Sequence, residues 1–304
     1  MKEPILIAGA TGYLGRFVLT EAARRGYPVR AIARTKTQIT TVPAGVELRQ
    51  AALTQPATIQ DLCTGIDTVF SSVGITRQKD GLSYMAVDYQ ANLNLLQAAI
   101  RAKVRRFMYI SALHPQFFIG NPMMTAKERF CQALDTAHRQ QQIEAIIVRP
   151  TGFFSDIKEF YTMAQSGRVY LIGNGQNEIN PIHGADLAAF CMDVLERPVT
   201  AMPTTILEGI AVGGPRIFRQ NEIAALAFQI VQKPERITRV PHALGRMVLQ
   251  VLRPFSQRLF TIGDFITRGA AQDMVAPLYG HLELEDFFRD LQTEAATSRS
   301  PADP

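Results

Sequence analysis

From Ile5 to Arg16 the chain reads Ile-Leu-Ile-Ala-Gly-Ala-Thr-Gly-Tyr-Leu-Gly-Arg. An apolar run ends at three glycines, Gly9, Gly12 and Gly15, and a stretch of helical period follows at once. Few folds accommodate that order. The run reads as a buried strand, and the glycines allow a tight turn and close approach of the backbone to a bound group. The helix that opens there offers unpaired N–H groups and the positive end of its dipole to an anion. Gly9, Thr11, Gly12, Tyr13, Leu14 and Gly15 are therefore candidates to hold the pyrophosphate of a dinucleotide. The alternative is a strand-to-helix turn that holds nothing.

The same rhythm continues through the first half. Short apolar runs at Ile5–Ala8, Val29–Ala33, 46–48, 68–72, 107–110 and 145–148 alternate with amphipathic stretches at 16–25, 89–101 and 126–139. Continuous apolar strands between helices predict an α/β fold, a Rossmann-like, doubly wound, mostly parallel sheet covered on both faces. After Pro150 the pattern loosens. Residues 167–181 are rich in Gly and Asn and read as a hairpin or irregular loops, 209–219 as a short strand, and Gly184–Glu196, 221–231, 243–253 and 282–290 as helices. The expected organisation is a nucleotide-binding domain over 1–155, a small C-terminal α/β lobe on the substrate side over 156–293, and a flexible tail over 294–304.

Composition narrows the class. Of 304 residues, 47% are hydrophobic and 19% charged, which supports a core and excludes a disordered or collagenous chain. A net charge of +5 suits phosphorylated small molecules and is too weak to argue for nucleic acid. Three scattered cysteines, Cys63, Cys131 and Cys191, predict neither a disulfide framework nor a zinc site. The five histidines lack metal-site spacing, so no metal is expected. No apolar run reaches the ~18 residues of a membrane span, and no signal-peptide layout is present, so a cytoplasmic protein is expected.

The glycine spacing resembles the TGxxGxxG-type loop of short-chain dehydrogenases/reductases, in the GATGxxG form of their extended and atypical branches. Arg34 follows the second strand, about 20 residues past the loop, where an arginine pairs with the 2′-phosphate of NADP and a carboxylate would select NAD. With Lys36 it argues for NADP(H); a solvated basic turn is the alternative. In the resembling family Gly-Asp-Leu often follows the third strand, whereas this chain has Ala51-Ala52-Leu53. The resemblance thus leaves adenine contact to backbone groups and Leu53, and places Ser72, Val73 and Gly74 beside the adenine ribose. Asn92 and Asn94, on the following helix, either bond neighbouring backbone or are exposed.

The family's catalytic pattern is YxxxK on the helix before the sixth strand, where the Tyr moves the proton and the Lys holds the nicotinamide ribose. Here Lys127 is present and Met123 stands at the Tyr position. The accompanying Ser falls at Ser111 or at Ala112, depending on register. Pro150, Thr151, Gly152 and Phe153 match the segment that lines the nicotinamide, and Phe153 and Phe154 read either as walls of a flat acceptor site or as core. His114 is a substitute proton donor or a loop residue held by backbone; Lys127 has the alternative of a surface lysine. Asp186 reads as a first-turn carboxylate facing its helix dipole.

The resemblance extends to the NmrA-like, isoflavone-reductase-like and divinyl-reductase-like groups. It implies NADPH-dependent reduction of a small carbonyl, enone or quinone-type acceptor, with Lys127 and His114 as candidate catalytic residues. The missing Tyr keeps a second reading open, a non-catalytic NADP(H)-binding sensor or assembly protein. Residues 243–260 form a basic amphipathic segment whose apolar positions either pack on the lobe, meet a second copy in a homodimer, or cover a partner or membrane surface.

Overall fold

Strand β1 (Ile5–Ala8) is buried at every position and takes β2 (Val29–Ala33) on one side and β4 (Thr68–Ser71) on the other, both parallel. This is a computed structural model, and it describes residues 2–34, 43–75, 81–197 and 205–297. β3 (Glu47–Gln50), β5 (Arg106–Ile110), β6 (Glu144–Pro150) and β9 (Ile210–Val212) complete a seven-stranded sheet of order β3-β2-β1-β4-β5-β6-β9. Every pairing among β1 to β6 is parallel. The chain winds outward one way from β1 through β3 and the other way from β4, so the switch point lies between β1 and β4. The doubly wound sheet expected from the alternating pattern is the observed one.

Among the described residues, the connections between β1 and β6 carry α1 (Tyr13–Arg24), α2 (Asn92–Arg101) and α3 (Pro122–Arg139). Their buried positions recur at three- and four-residue spacing, as at Phe130, Leu134 and Ala137 of α3. Phe130 packs edge-on to Tyr109 of β5 with ring centroids 4.6 Å apart. α2 is preceded by a wider, π-helical stretch, Met85–Ala91, which seats Asp88 inside the protein. The three thiols are buried and unpaired, and burial pushes Cys63 up to about 11 and Cys131 up to about 12.

The chain divides into two compact units, Met1–Arg149 with Leu187–Ala211 and Pro150–Asp186 with Val212–Pro304. The second contains α4 (Phe154–Gln165), which the sequence pattern left unread after Pro150. Its two small sheets also correct the expected hairpin. β7 (Val169–Ile172) and β8 (Glu178–Ile179) do not pair with each other. β7 runs parallel to β11 (Ile237–Val240), and β8 pairs antiparallel with β10 (Phe218–Arg219). Gly and Asn do mark the turn, but the ladder partner lies far along the chain. That choice is made by burial of Val169 and Leu171 in a core with Phe154, Phe228 and Phe288.

α5 (Gly184–Glu196) passes from the second unit to the first, and α6 (Gln220–Val231) packs within the second. α7 (His242–Leu252) and α8 (Gln257–Ala270) form a helical hairpin, and α9 (Leu284–Thr297) closes the unit. α9 runs through Glu294 to Thr297, so the start of the expected tail is helical. Glu294 and Ala295 extend a helix whose Leu284, Phe288 and Leu291 are already buried. Among the described residues no helix is long and apolar enough to cross a membrane, and no His, Cys, Asp and Glu cluster could hold a metal.

Candidate functional site

The site of the first unit is built at the ends of β1 and β4. Gly9 follows β1 at φ +87°, in the left-handed region that favours glycine. A Cβ there would sit 2.8 Å from Ser72 Oγ. At Gly15 a Cβ would lie 2.0 Å from the Gly9 carbonyl oxygen. That carbonyl accepts the Gly12 N–H at 2.9 Å, so the loop folds back on itself directly against the first turn of α1. Gly12 caps α1 without a side-chain hydrogen bond to the helix N–H groups, and no acidic residue stands in the first turn. A backbone cradle at a positive helix end fits a pyrophosphate. Arg16, one turn in, donates to the Thr11 carbonyl at 3.1 Å and braces the loop. Tyr13 is half-buried and meets Phe17 edge-on at 5.3 Å, while Leu14 is in the core.

The neighbouring strand end is pinned beside it. Ser72 donates its N–H to Ala8 O at 3.1 Å. Asn92, fully buried, accepts from Ser71 Oγ at 2.6 Å and donates to Val73 O at 3.1 Å and Asp88 O at 2.9 Å. Asn94 donates to Leu53 O at 2.9 Å. Both asparagines thus bond backbone, and they hold the two loops that carry Leu53, Val73 and Gly74. Arg34 is exposed immediately past β2, and Lys36 lies outside the described residues.

Lys127 is not a surface lysine. Its Nζ lies 3.2 Å from Asp88 Oδ1 and 5.7 Å from the centre of the Tyr109 ring, with little of the side chain exposed. Asp88 is fully buried and accepts the Ile75 N–H at 3.1 Å. Burial pushes its carboxyl above the usual carboxylate range, against the pull of the Lys127 ammonium. Gly74 borders this pair so closely that a Cβ would lie 2.7 Å from Asp88 Oδ1 and 2.8 Å from Lys127 Nζ. The ammonium is therefore aimed beside the stretch that ends β4, in the same unit as the glycine loop. Met123, one turn before Lys127, is buried and fills apolar space in the first turn of α3.

Ser111 has a different employment from the one the resemblance suggests. Its hydroxyl donates to Glu128 Oε1 at 2.8 Å. Glu128 in turn holds Arg149 through two bonds of 2.7 and 2.8 Å, and Arg149 also donates to Leu207 O at 2.8 Å and Ala112 O at 3.1 Å. This buried fork joins β5, α3, β6 and the segment before β9. His114 sits at φ +48° with its ring against Phe117 at 5.2 Å, and its carbonyl accepts the Phe117 N–H.

Pro150, Thr151, Gly152 and Phe153 belong to the second unit. Thr151 is tied by its N–H to Val212 O at 3.0 Å and by its hydroxyl to Asn180 O at 2.6 Å. Gly152 accepts from Ile182 N, and Phe153 is half-buried just before α4. Phe154 is core, packed against His183 and Phe287 at 5.5 Å each. Asp186, almost wholly buried, accepts the N–H groups of His281 at 3.1 Å and Leu282 at 2.9 Å. It therefore ties the start of α5 to the segment before α9. Asp88, Glu128, Arg149 and Asn92 escaped the sequence reading as site residues, because nothing in their local pattern separates them from solvated helix or strand-end polar residues.

The family model described as NAD(P)H-binding matches residues 9–198. The chain is 27% identical over 249 residues to the photosystem II assembly factor Ycf39 of Trieres chinensis, covering 81% of this chain and 75% of that one. It is 28% identical over 329 aligned positions to the chloroplastic divinyl chlorophyllide a 8-vinyl-reductase of Arabidopsis thaliana, covering 93% and 75%. Among solved structures, that of gox2253 superposes with a TM-score of 0.70 at 18% identity, covering 98% of this chain and 99% of that one.

Proposed function

The chain belongs to the NAD(P)H-binding family of atypical, NmrA-like short-chain dehydrogenases/reductases, and on that footing we propose that it is an NADPH-dependent reductase of a small, flat carbonyl, enone or quinone-type acceptor. The observation that carries this reading is Lys127, drawn into the first unit by buried Asp88 and set beside the strand end that flanks the glycine loop. A lysine kept only for solubility would not be held on a buried carboxylate. The relative named as a vinyl reductase supports the same chemistry.

In this reading Gly9, Thr11, Gly12, Tyr13, Leu14 and Gly15 hold the pyrophosphate through backbone N–H groups. Arg34, with Lys36, holds the 2′-phosphate. Leu53, Ser72, Val73 and Gly74 lie along the adenosine half. Lys127 holds the nicotinamide ribose, its charge compensated by Asp88, and Ser111 is a further cofactor contact. Pro150, Thr151, Gly152 and Phe153 line the acceptor side. When bound, the cofactor supplies a hydride. Met123 offers no proton, so the proton comes from water, from the substrate or from His114. An acceptor whose reduced form is a stabilised enolate or hydroquinone needs no strong acid at that step.

The test is an NADPH oxidation assay with a panel of quinones, enones and aldehydes. Turnover on at least one acceptor, lost with Lys127→Ala, is the expected result; NADPH binding without turnover on any of them would favour a second reading. That reading is a non-catalytic NADP(H)-binding sensor or assembly protein, favoured by Met123 and by the relative named as an assembly factor.

Cofactor choice has its own test. A charge-assisted bond contributes about 1.5–3 kcal/mol, so Arg34→Asp is expected to lower the NADPH-to-NADH affinity ratio by about tenfold or more. Equal ratios in the two proteins, measured by fluorescence titration, would remove Arg34 from the phosphate site.

A further inference from the structure

Arg24 and Arg25, at the end of α1, share the Glu21 carboxylate, and Arg30 of β2 shares Glu47 with Arg49 of β3. Arg16, at the other end of α1, is employed differently. It is exposed, and no Asp or Glu among the described residues pairs with it. The carboxylate nearest along the helix, Glu21, is taken by its two arginines. Arg16 Nε donates to the Thr11 carbonyl at 3.1 Å. The N–H groups on its two Nη atoms meet no protein acceptor among the described residues.

The place of this charge matters. Arg16 follows Tyr13, Leu14 and Gly15, so it stands just past the first residues of the helix. Helical side chains lean toward the N-terminus. The bond to Thr11, which precedes the Gly12 cap, shows that the guanidinium reaches back beyond the helix start. It therefore adds a positive charge to the positive end of the α1 dipole, where a cation is disfavoured and an anion is favoured. No acidic residue in the first turn offsets it. Bracing the loop needs a donor for one carbonyl and no charge. An uncompensated guanidinium at a helix start is accounted for by an anion that binds there. The family match supplies the chemistry: it begins at Gly9, the first residue of the loop, and is described as NAD(P)H-binding. The anionic groups of such a dinucleotide are its phosphates, and the planar fork of arginine suits two oxygens of one phosphate.

We propose that Arg16 is a phosphate-recognition residue of the glycine loop: anchored on Thr11 through Nε, it presents its Nη donors to a phosphate of the dinucleotide. The loop then holds the cofactor with a charged side chain as well as with backbone N–H groups. This inference rests on dinucleotide binding alone, so it stands for a reductase and for a non-catalytic sensor alike. The phosphate is either the pyrophosphate or the 2′-phosphate, and the two are separated by the cofactor used.

The experiment is fluorescence titration of the full chain and of its Arg16→Gln variant with NADPH and with NADH, beside thermal melts of both proteins without ligand. Glutamine keeps a donor for the Thr11 carbonyl and loses the charge. The variant is expected to bind NADPH about tenfold to a hundredfold more weakly, the worth of one charge-assisted bond. Without ligand it is expected to melt at or above the parent's temperature, because a cation has left a positive helix end. An equal loss with NADH assigns Arg16 to the pyrophosphate, and a loss confined to NADPH assigns it to the 2′-phosphate. Two results would overturn the proposal. One is NADPH affinity within about twofold of the parent's, far below the worth of such a bond. The other is weaker binding together with a lower ligand-free melt, which marks Arg16 as a brace of the loop and nothing more.

Discussion

Replacing Arg149 with methionine is expected to lower the unfolding free energy by about 3–5 kcal/mol. Arg149 is 3% exposed, and its guanidinium serves two oxygens of Glu128 and the carbonyls of Leu207 and Ala112. Methionine fills much of the volume and offers no donor. Glu128 is then left as a carboxylate without its partner, and two carbonyls lose their bonds. Glu128 keeps some exposure, which places the cost nearer the lower figure. The double variant Glu128→Leu, Arg149→Met is expected to recover most of the loss, because a paired charge removed together with its partner leaves no buried orphan. Urea unfolding of the three proteins checks this. A single variant within about 1 kcal/mol of the parent would show that the fork does not hold β5, α3 and β6 together.

Gly15→Ala is expected to weaken NADPH binding by about a hundredfold or more. The added Cβ would lie 2.0 Å from Gly9 O, backbone that cannot swing aside. Either the turn that bonds Gly12 N to Gly9 O opens or α1 backs away from it. Each outcome disperses the N–H groups of the cradle, and losing one or two charge-assisted bonds of about 1.5–3 kcal/mol each accounts for the factor. The fold suffers as well, so the companion variant is Gly12→Ala. Gly12 is exposed at φ −76°, and its Cβ would meet only Gly9 O, at 3.2 Å. That protein is expected to melt close to the parent and still bind NADPH more weakly. Parental affinity in both variants would mean that this loop is not where the phosphates sit.

The strand-loop-helix unit at 5–16 was legible because the pattern that marks it lies within one short, continuous stretch. Apolar run, glycine spacing and helical period are all written locally, and the order of the doubly wound sheet follows from repeating them. Lys127 was legible as a lysine of interest only through a resemblance. Its partner was not legible, since Asp88 lies 39 positions earlier and its burial depends on the wider π-helical stretch. Ser111 was legible as the accompanying serine only through the same resemblance, and that its hydroxyl donates to Glu128 could not be read locally, since the two lie on different elements.

By itself, then, the sequence determined the parallel sheet, the glycine loop at its switch point and the basic, amphipathic character of 243–260, because each is a matter of period and composition over a short span. Tertiary structure alone decided which buried charges pair, Asp88 with Lys127 and Glu128 with Arg149. It also decided that β7 takes β11 as its neighbour, and that Leu244, Val248 and Val251 of α7 are exposed. Those choices depend on what fills the space opposite a residue, and a long chain offers many candidates of equal local fitness. Packing selects among them by filling the space and by pairing the buried charges.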